Sequence, residues 1–392
     1  MLEHPPKRHS HLPLLGAAHS LNHSLFVIAP PLLALIMSDL KVSDFIIGIV
    51  ATITSFIYGL GALAGGPLGD RIGETKTITL SLTFSGLSTF IMLVAGATRQ
   101  IYLYALALTS MAVWASFYHP TANSLISKTF KGKIAESMGL HGVGGTIGVV
   151  LTPMIAYFIG ASFGWPWAFV TFGALCLLLA FLFAKKFGKI TNNNGALGSI
   201  FAAFKIRELW VLLACNVAIG LFMKGVELFF PRYLVESKMV DSAWAAVAYT
   251  LLLAAGVPGQ WLGGKTADKI GSKKVMIATM IGVCLSLVLL LFSPIYIVGI
   301  GAFILLYGVS FYAHQPAFNA LTGFLSPQNQ RGAVYGIFFF TSFGIGALSQ
   351  AMVGYIADTY SFDVAFYLLT IFALIAFLLS LKLPDKREDK PT

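Results

Sequence analysis

Charge is scarce in this chain. Of its 392 residues, 11% are Asp, Glu, Lys or Arg and 57% are hydrophobic, with a mean hydropathy of +0.81. So little charge excludes a soluble globular domain and makes the lipid bilayer the solvent. Alternating polar and apolar residues are absent from the long apolar runs, which excludes barrel strands. An open sheet is excluded because its edge would leave backbone groups unpaired in hydrocarbon. Cysteine is rare: Cys176, Cys215 and Cys284 lie inside apolar runs without metal-type spacing, so packed thiols are expected and no disulfide. No Gly-x-x-x-x-Gly-Lys-Ser/Thr loop is present to hold a nucleotide, and no nucleophile stands with its own base. The chain therefore reads as a protein that is not an enzyme and needs no cofactor, its work drawn from an ion or substrate gradient. The polar stretch Met1 to Leu12 carries no evident small-residue cleavage site, so the first apolar run is expected to be retained as a helix.

What is present is a series of twelve apolar runs, near 12–37, 45–69, 77–97, 101–126, 135–160 and 165–185, then 209–234, 243–264, 274–293, 295–321, 332–357 and 363–382. Each is long enough for a spanning helix of about 20 residues. The expectation is an all-α integral membrane protein of two pseudo-symmetric six-helix bundles, 1–185 and 209–392, joined by a polar cytoplasmic linker at 186–208. Duplication is visible in the text of the sequence. Gly65-Gly66-Pro67-Leu68-Gly69-Asp70-Arg71-Ile72-Gly73 returns as Gly263-Gly264-Lys265-Thr266-Ala267-Asp268-Lys269-Ile270-Gly271, each copy between two apolar runs. Phe117-Tyr118-His119-Pro120 with Asn123 in the fourth run is matched by Phe311-Tyr312-Ala313-His314-Gln315-Pro316 with Asn319 in the tenth. Both prolines remove a helical hydrogen bond and are expected to kink their helices.

Lysine and arginine set the orientation, because cytoplasmic loops are enriched in them. With both termini inside, all but five of the 26 fall in inner segments; Lys41, Arg99, Arg232 and Lys238 lie outside and Lys224 lies within a run. The net charge of +10 is mostly this bias, and its spread over short loops argues against a nucleic-acid partner.

The paired Gly-x-x-x-Gly/Ala-Asp-Arg/Lys-x-Gly turns and the six-plus-six plan resemble the major facilitator superfamily over the whole chain. Phe117-Tyr118-His119-Pro120, Gly139-Leu140-His141-Gly142-Val143-Gly144-Gly145 and Leu151-Thr152-Pro153 resemble that superfamily's fosmidomycin-resistance branch of small-molecule exporters, joined by His19-x-x-Asn22-His23 in the first run. The fifth run also resembles the antiporter motif, with Gly139 and Gly148, but has Thr152 where the motif has glycine and Ala156-Tyr157 for its closing pair. The arginine that drug/proton antiporters usually carry in the fourth helix is missing, which weakens any borrowed coupling scheme. Close helix packing and a bias toward export are equal readings of those glycines.

Ionisable groups inside a bilayer are costly and tend to be functional. The resemblance implies that the first, fourth, seventh and tenth helices line the substrate path, and those runs hold the polar residues. His19, Asn22 and His23 share one stripe of the first; Tyr118, His119 and Asn123 mark the fourth; Asn216, Lys224 and Glu227 the seventh; Tyr312, His314, Gln315 and Asn319 the tenth. Glu227 is the one acid inside an apolar run, three residues after Lys224 and on the same helix face. These thirteen residues are the expected substrate-binding or proton-coupling set, with a static Lys224–Glu227 pair and cross-helix histidine hydrogen bonds as the structural alternatives. Asp70, Arg71, Asp268 and Lys269 are expected to serve conformational gating, and no resident metal is assigned.

The expected function is secondary active transport of a small organic molecule across the cytoplasmic membrane by alternating access, as proton-coupled export. Its partners would be the small molecule, protons and membrane lipid, and it would act as a monomer. One lysine and several histidines against one carboxylate suit an anionic cargo, in keeping with the phosphonate that gives the resembling branch its name. Two other readings stand beside it: an organic-anion importer or uniporter on the same fold, and a divalent-metal transporter in which His19 and His23, at i and i+4, act with Glu227.

Overall fold

A backbone in hydrocarbon must satisfy its own hydrogen bonds, and a helix does this within one segment. The computed structural model describes residues 12–130, 134–187, 206–327 and 331–385; nearly all of the linker expected at 186–208, and the basic residues Lys7, Arg8, Lys386, Arg387 and Lys390, lie outside these. Among the described residues, twelve helices are long and apolar enough to cross a membrane. They are α1 (Leu12–Leu40), α2 (Asp44–Ile72), α3 (Glu74–Thr98), α4 (Ile101–Thr129), α5 (Ser137–Phe163), α6 (Trp165–Lys186), α7 (Arg207–Lys238), α8 (Ser242–Ile270), α9 (Ser272–Phe292), α10 (Tyr296–Leu325), α11 (Val334–Thr359) and α12 (Phe362–Ser380). All twelve expected runs are present, with ends that differ from the expected ones by up to several residues in either direction.

The repeated turn owes its tightness to its last glycine. Gly73 and Gly271 have φ of 95°, a conformation L side chains rarely adopt, and each is the single residue between consecutive helices. The prolines behave unequally. α4 is interrupted at Ser116–Phe117, ahead of Pro120, whereas α10 runs unbroken through Pro316.

The helices divide into two units, which among the described residues comprise 12–42 with 53–187 and 43–52 with 206–385. In the first unit small residues bring backbones together. Gly16 and Ser20 of α1 lie against Gly144 and Gly148 of α5, where an added Cβ on Gly148 would stand 2.2 Å from the Ser20 carbonyl oxygen. Gly65 of α2 fits against Phe117 and Pro120 of α4, and Gly69 against Thr121. A core of Leu15, Ala18, Tyr118, Ala122, Leu125 and Ile126 fills the space beside α1 and α4.

The second unit repeats the scheme. Gly259 and Gly263 of α8 lie against Val309 and Ala313 of α10, and Gly220 of α7 against Gly346 in α11. By its contacts, the opening segment of α2, 43–52, belongs here, whereas the sequence reading has 1–185 as one uninterrupted bundle. The physical reason is a close backbone approach: Cβ atoms on Gly48 and Gly354 would stand 2.3 Å from the carbonyl oxygens of Gln350 and Asp44. The Asp358 carboxylate accepts from the Asp44 and Phe45 backbone N–H groups at 3.1 and 2.8 Å, capping the start of α2. The Arg232 guanidinium pairs with Asp44 at 3.2 Å and with Glu236.

Candidate functional site

Two polar constellations form inside apolar helices, one in each unit. In the first unit the stripe His19, Asn22 and His23 on α1 meets Tyr118 and His119 at the interrupted part of α4. The His19 ring centroid lies 4.7 Å from that of His23 and 5.0 Å from that of His119, and His23 and His119 are also 5.0 Å apart. Nitrogen atoms of all three come within 4.8 Å of one another. His141 of α5 completes the group, its ring stacked on His19 at 4.0 Å with an interplanar angle of 6°. This stack exists because α1 and α5 cross where Gly145 has no side chain; a Cβ there would reach 2.5 Å from the His19 ring.

Hydrogen bonds set the ring roles. His19 Nδ1 lies 2.7 Å from the His141 carbonyl oxygen, which only accepts, so Nδ1 carries the proton. Tyr118 donates its hydroxyl to the Leu15 carbonyl at 2.9 Å and so accepts from His141 Nε2–H at 3.0 Å. Asn22 donates to the Ala115 carbonyl at 3.0 Å and accepts from the Tyr58 hydroxyl at 3.4 Å. Asn22 therefore joins α1 to the turn in α4. Thr152, the departure from the antiporter motif, is buried and donates to Ser24 Oγ at 2.7 Å across the same α1–α5 contact. Asn123 does not join the group: its side chain is exposed and makes no hydrogen bond among the described residues.

In the second unit, Asn216, Gly220 and Lys224 lie four residues apart on one face of α7, facing a π-helical segment of α11 at Thr341–Ile345. Such bulges recur at functional sites. Asn216 donates to the Phe338 carbonyl at 2.7 Å and to Thr341 Oγ1 at 2.9 Å, holding the bulge in place. The Lys224 ammonium stands 4.2 Å over the Phe343 ring and donates to Glu227 Oε2 at 2.6 Å. The lysine side chain is 7% exposed and the carboxylate 29%, so the pair is desolvated at one end and open at the other. Tyr249 of α8 and Tyr307 and Tyr312 of α10 lie within electrostatic reach of Glu227. The Tyr249 hydroxyl is buried and has no hydrogen-bond partner among the described residues.

The remaining α10 residues are more dispersed. Tyr312 packs its ring on Gly256, and Gln315 accepts from Gln260 at 3.2 Å. His314 turns Nδ1 back to the Phe311 carbonyl of its own helix. Asn319 is exposed like its counterpart Asn123, and its carbonyl accepts from Tyr335 at 2.8 Å. Asn216→Ala is expected to lower stability by about 1 kcal/mol, the usual scale of an interhelical hydrogen bond in a membrane protein. Thermal unfolding in detergent checks it.

At the repeated turn, the first copy holds an ion network, and among the described residues the second copy shows no matching pair. Lys128 of α4 pairs with Asp70 at 3.3 Å and with the fully buried Glu74, which also accepts from Ser124 at 3.0 Å. Arg71, Asp268 and Lys269 are exposed. Sequence reasoning passed over Lys128 and Glu74 as loop charges, and had no signal for Tyr58 or Tyr249, since tyrosine is common in such runs. His141 was visible among its glycines, but glycine-rich helix contact was the favoured explanation of it.

Residues 15–351 match the family model described as the Major Facilitator Superfamily. The Fosmidomycin resistance protein of Escherichia coli (strain K12) is 23% identical over 388 residues, covering 95% of this chain and 93% of that protein. The Probable sulfoacetate transporter SauU of Cupriavidus necator is 24% identical, covering 85% of this chain and 83% of that protein. Among solved structures, the nucleoside transporter NupG superposes with a TM-score of 0.81 at 14% identity, covering 95% of this chain and 99% of that one.

Proposed function

We propose that this chain, which belongs to the Major Facilitator Superfamily, exports a small organic anion in exchange for protons. That it is a multi-pass membrane protein and a secondary transporter of small molecules follows from the family and from its twelve spanning helices. The observation that carries the finer reading is the Lys224–Glu227 pair. A carboxylate and an ammonium set 2.6 Å apart inside an apolar helix are an expensive arrangement. The partly open carboxylate can exchange its lysine for a proton, and the lysine, once released, is a cation that a substrate anion can claim. The buried Tyr249 hydroxyl, without a partner among the described residues and within electrostatic reach of Glu227, is a ready donor to that carboxylate or to the substrate anion.

An anionic cargo is supported further by two relatives whose names mention fosmidomycin, a phosphonate, and sulfoacetate. The conformational cycle would be alternating access, with Asp70 and its Lys128 partner as the gating pair in the first unit, in a cytoplasmic membrane with both termini inside.

The test is transport in membrane vesicles of both orientations, with a panel of labelled phosphonates, sulfonates and carboxylates. An imposed gradient, acidic inside, is expected to drive accumulation, because protons leaving the lumen exchange for entering anion. Accumulation driven instead by a gradient acidic outside would mean symport and would replace export by import of the same anion; uptake indifferent to the gradient would remove proton coupling.

A further inference from the structure

His19 is held in a way that leaves one atom without a purpose in the protein alone. Its Nδ1–H donates to the His141 carbonyl, so the lone pair of the neutral ring sits on Nε2. That Nε2 is buried and has no hydrogen-bond partner among the described residues, in a residue only 8% exposed. A buried acceptor without a donor is costly. His19, His23 and His119 each offer one ring nitrogen, and these nitrogens lie within 4.8 Å of one another, the rings of His23 and His119 half-buried. We infer that His19, His23 and His119 form a binding site for a transition-metal ion of the zinc class.

Protonating more than one ring would place like charges on centroids 4.7–5.0 Å apart inside an apolar unit. One ion bound to all three rings removes that conflict. The donors also choose the metal, since three neutral imidazoles without a carboxylate or thiolate suit zinc, copper or nickel and reject magnesium and calcium.

The surroundings are those of a metal-ligating histidine, which characteristically gives its other N–H to a carbonyl or carboxylate. Here the acceptor is the His141 carbonyl, and the His141 ring stacked on His19 is itself fixed by Tyr118. Around zinc, with bonds of about 2.0–2.1 Å, ligand nitrogens stand about 3.3 Å apart, so the rings of His23 and His119 must close on His19 when the ion enters. Sequence reasoning joined His19 and His23 to Glu227; the structure supplies His119 as the third nitrogen.

Three histidines leave a tetrahedral ion one open position. That position takes an anionic oxygen, and assigning it to a phosphonate, sulfonate or carboxylate cargo rests on the function proposed above. The metal site itself does not.

The experiment uses the full chain in lipid nanodiscs, purified through a tag without histidine. His4, His9 and His11 are replaced by alanine so that they do not compete for the ion. Calorimetric titration with zinc is expected to show one ion per chain, and cobalt(II) to give the intense visible bands of a tetrahedral site. H19Q, H23Q and H119Q should each weaken zinc binding by about tenfold or more. Absence of saturable binding, or an affinity unchanged in H23Q and H119Q, would overturn the inference. Melting curves identify any variant that fails to fold, and the half-buried His23 supplies the test should H19Q do so. Proton-driven transport that persists in a chain unable to bind zinc would sink the metal site and leave the proposed function standing; zinc binding intact in a chain that moves no anion would do the reverse.

Discussion

Glu227→Gln is expected to abolish proton-driven transport, lowering the rate by about a hundredfold or more, the scale on which a positioned proton carrier acts. The amide keeps the shape of the carboxylate and still offers an oxygen to the Lys224 ammonium, which stays over the Phe343 ring. Folding should therefore survive, with a melting temperature near that of the parent chain. What disappears is the exchangeable negative charge, and with it any dependence of transport on the proton gradient. The measurement is uptake into proteoliposomes under an imposed gradient, beside the melting curve of the same preparation. Undiminished uptake would show the pair to be static, leaving the proton to the histidines of α1, α4 and α10. Tyr249→Phe should have a smaller effect of the same kind, because it removes a hydroxyl near Glu227 but no charge.

The second large effect is structural and comes with an internal control. Gly142 and Gly148 lie in the same helix, but a Cβ at Gly142 meets nothing within 4 Å, while at Gly148 it would stand 2.2 Å from the Ser20 carbonyl oxygen and 2.8 Å from the Ser20 Cα. Backbone cannot move aside as a side-chain tip can. Gly148→Val is therefore expected to destabilise the first unit at or above the top of the roughly 1–3 kcal/mol typical of overpacking. Gly142→Ala should remain within about 0.5 kcal/mol of the parent. Thermal unfolding of the detergent-solubilised variants separates them, and equal tolerance of both would refute the close α1–α5 crossing. Gly139, the first glycine of the antiporter-like motif, is as open as Gly142. In this structure the motif splits: Gly144, Gly145 and Gly148 make a helix contact, and Gly139 does not. That favours the packing reading for the former.

Much of the fold was legible in the residues themselves. In hydrocarbon the backbone has one local solution, so apolar runs convert to helices with little competition from tertiary context. The repeated turn was equally plain, since only glycine accepts the φ of 95° at positions 73 and 271. What escaped was the grouping of 43–52 with the second unit, which depends on two glycines, Gly48 and Gly354, whose spacing in the sequence says nothing about their meeting.

The site divides along the same line. The sequence by itself determined which residues are chemically out of place: Lys224, Glu227 and the histidines announce themselves because every charge or imidazole in an apolar run carries a desolvation cost. It also determined that Lys224 and Glu227 meet, because three residues along a helix is a local distance. Which outliers meet across helices was decided only by tertiary structure. Asn216 was turned to its neighbour's backbone, Asn123 and Asn319 were left exposed, and His141 and His119 were brought onto His19. The reason is register: the rotation and height at which α1, α4 and α5 cross are set by glycines and close backbone contacts many residues apart, and no periodicity within a single helix encodes them.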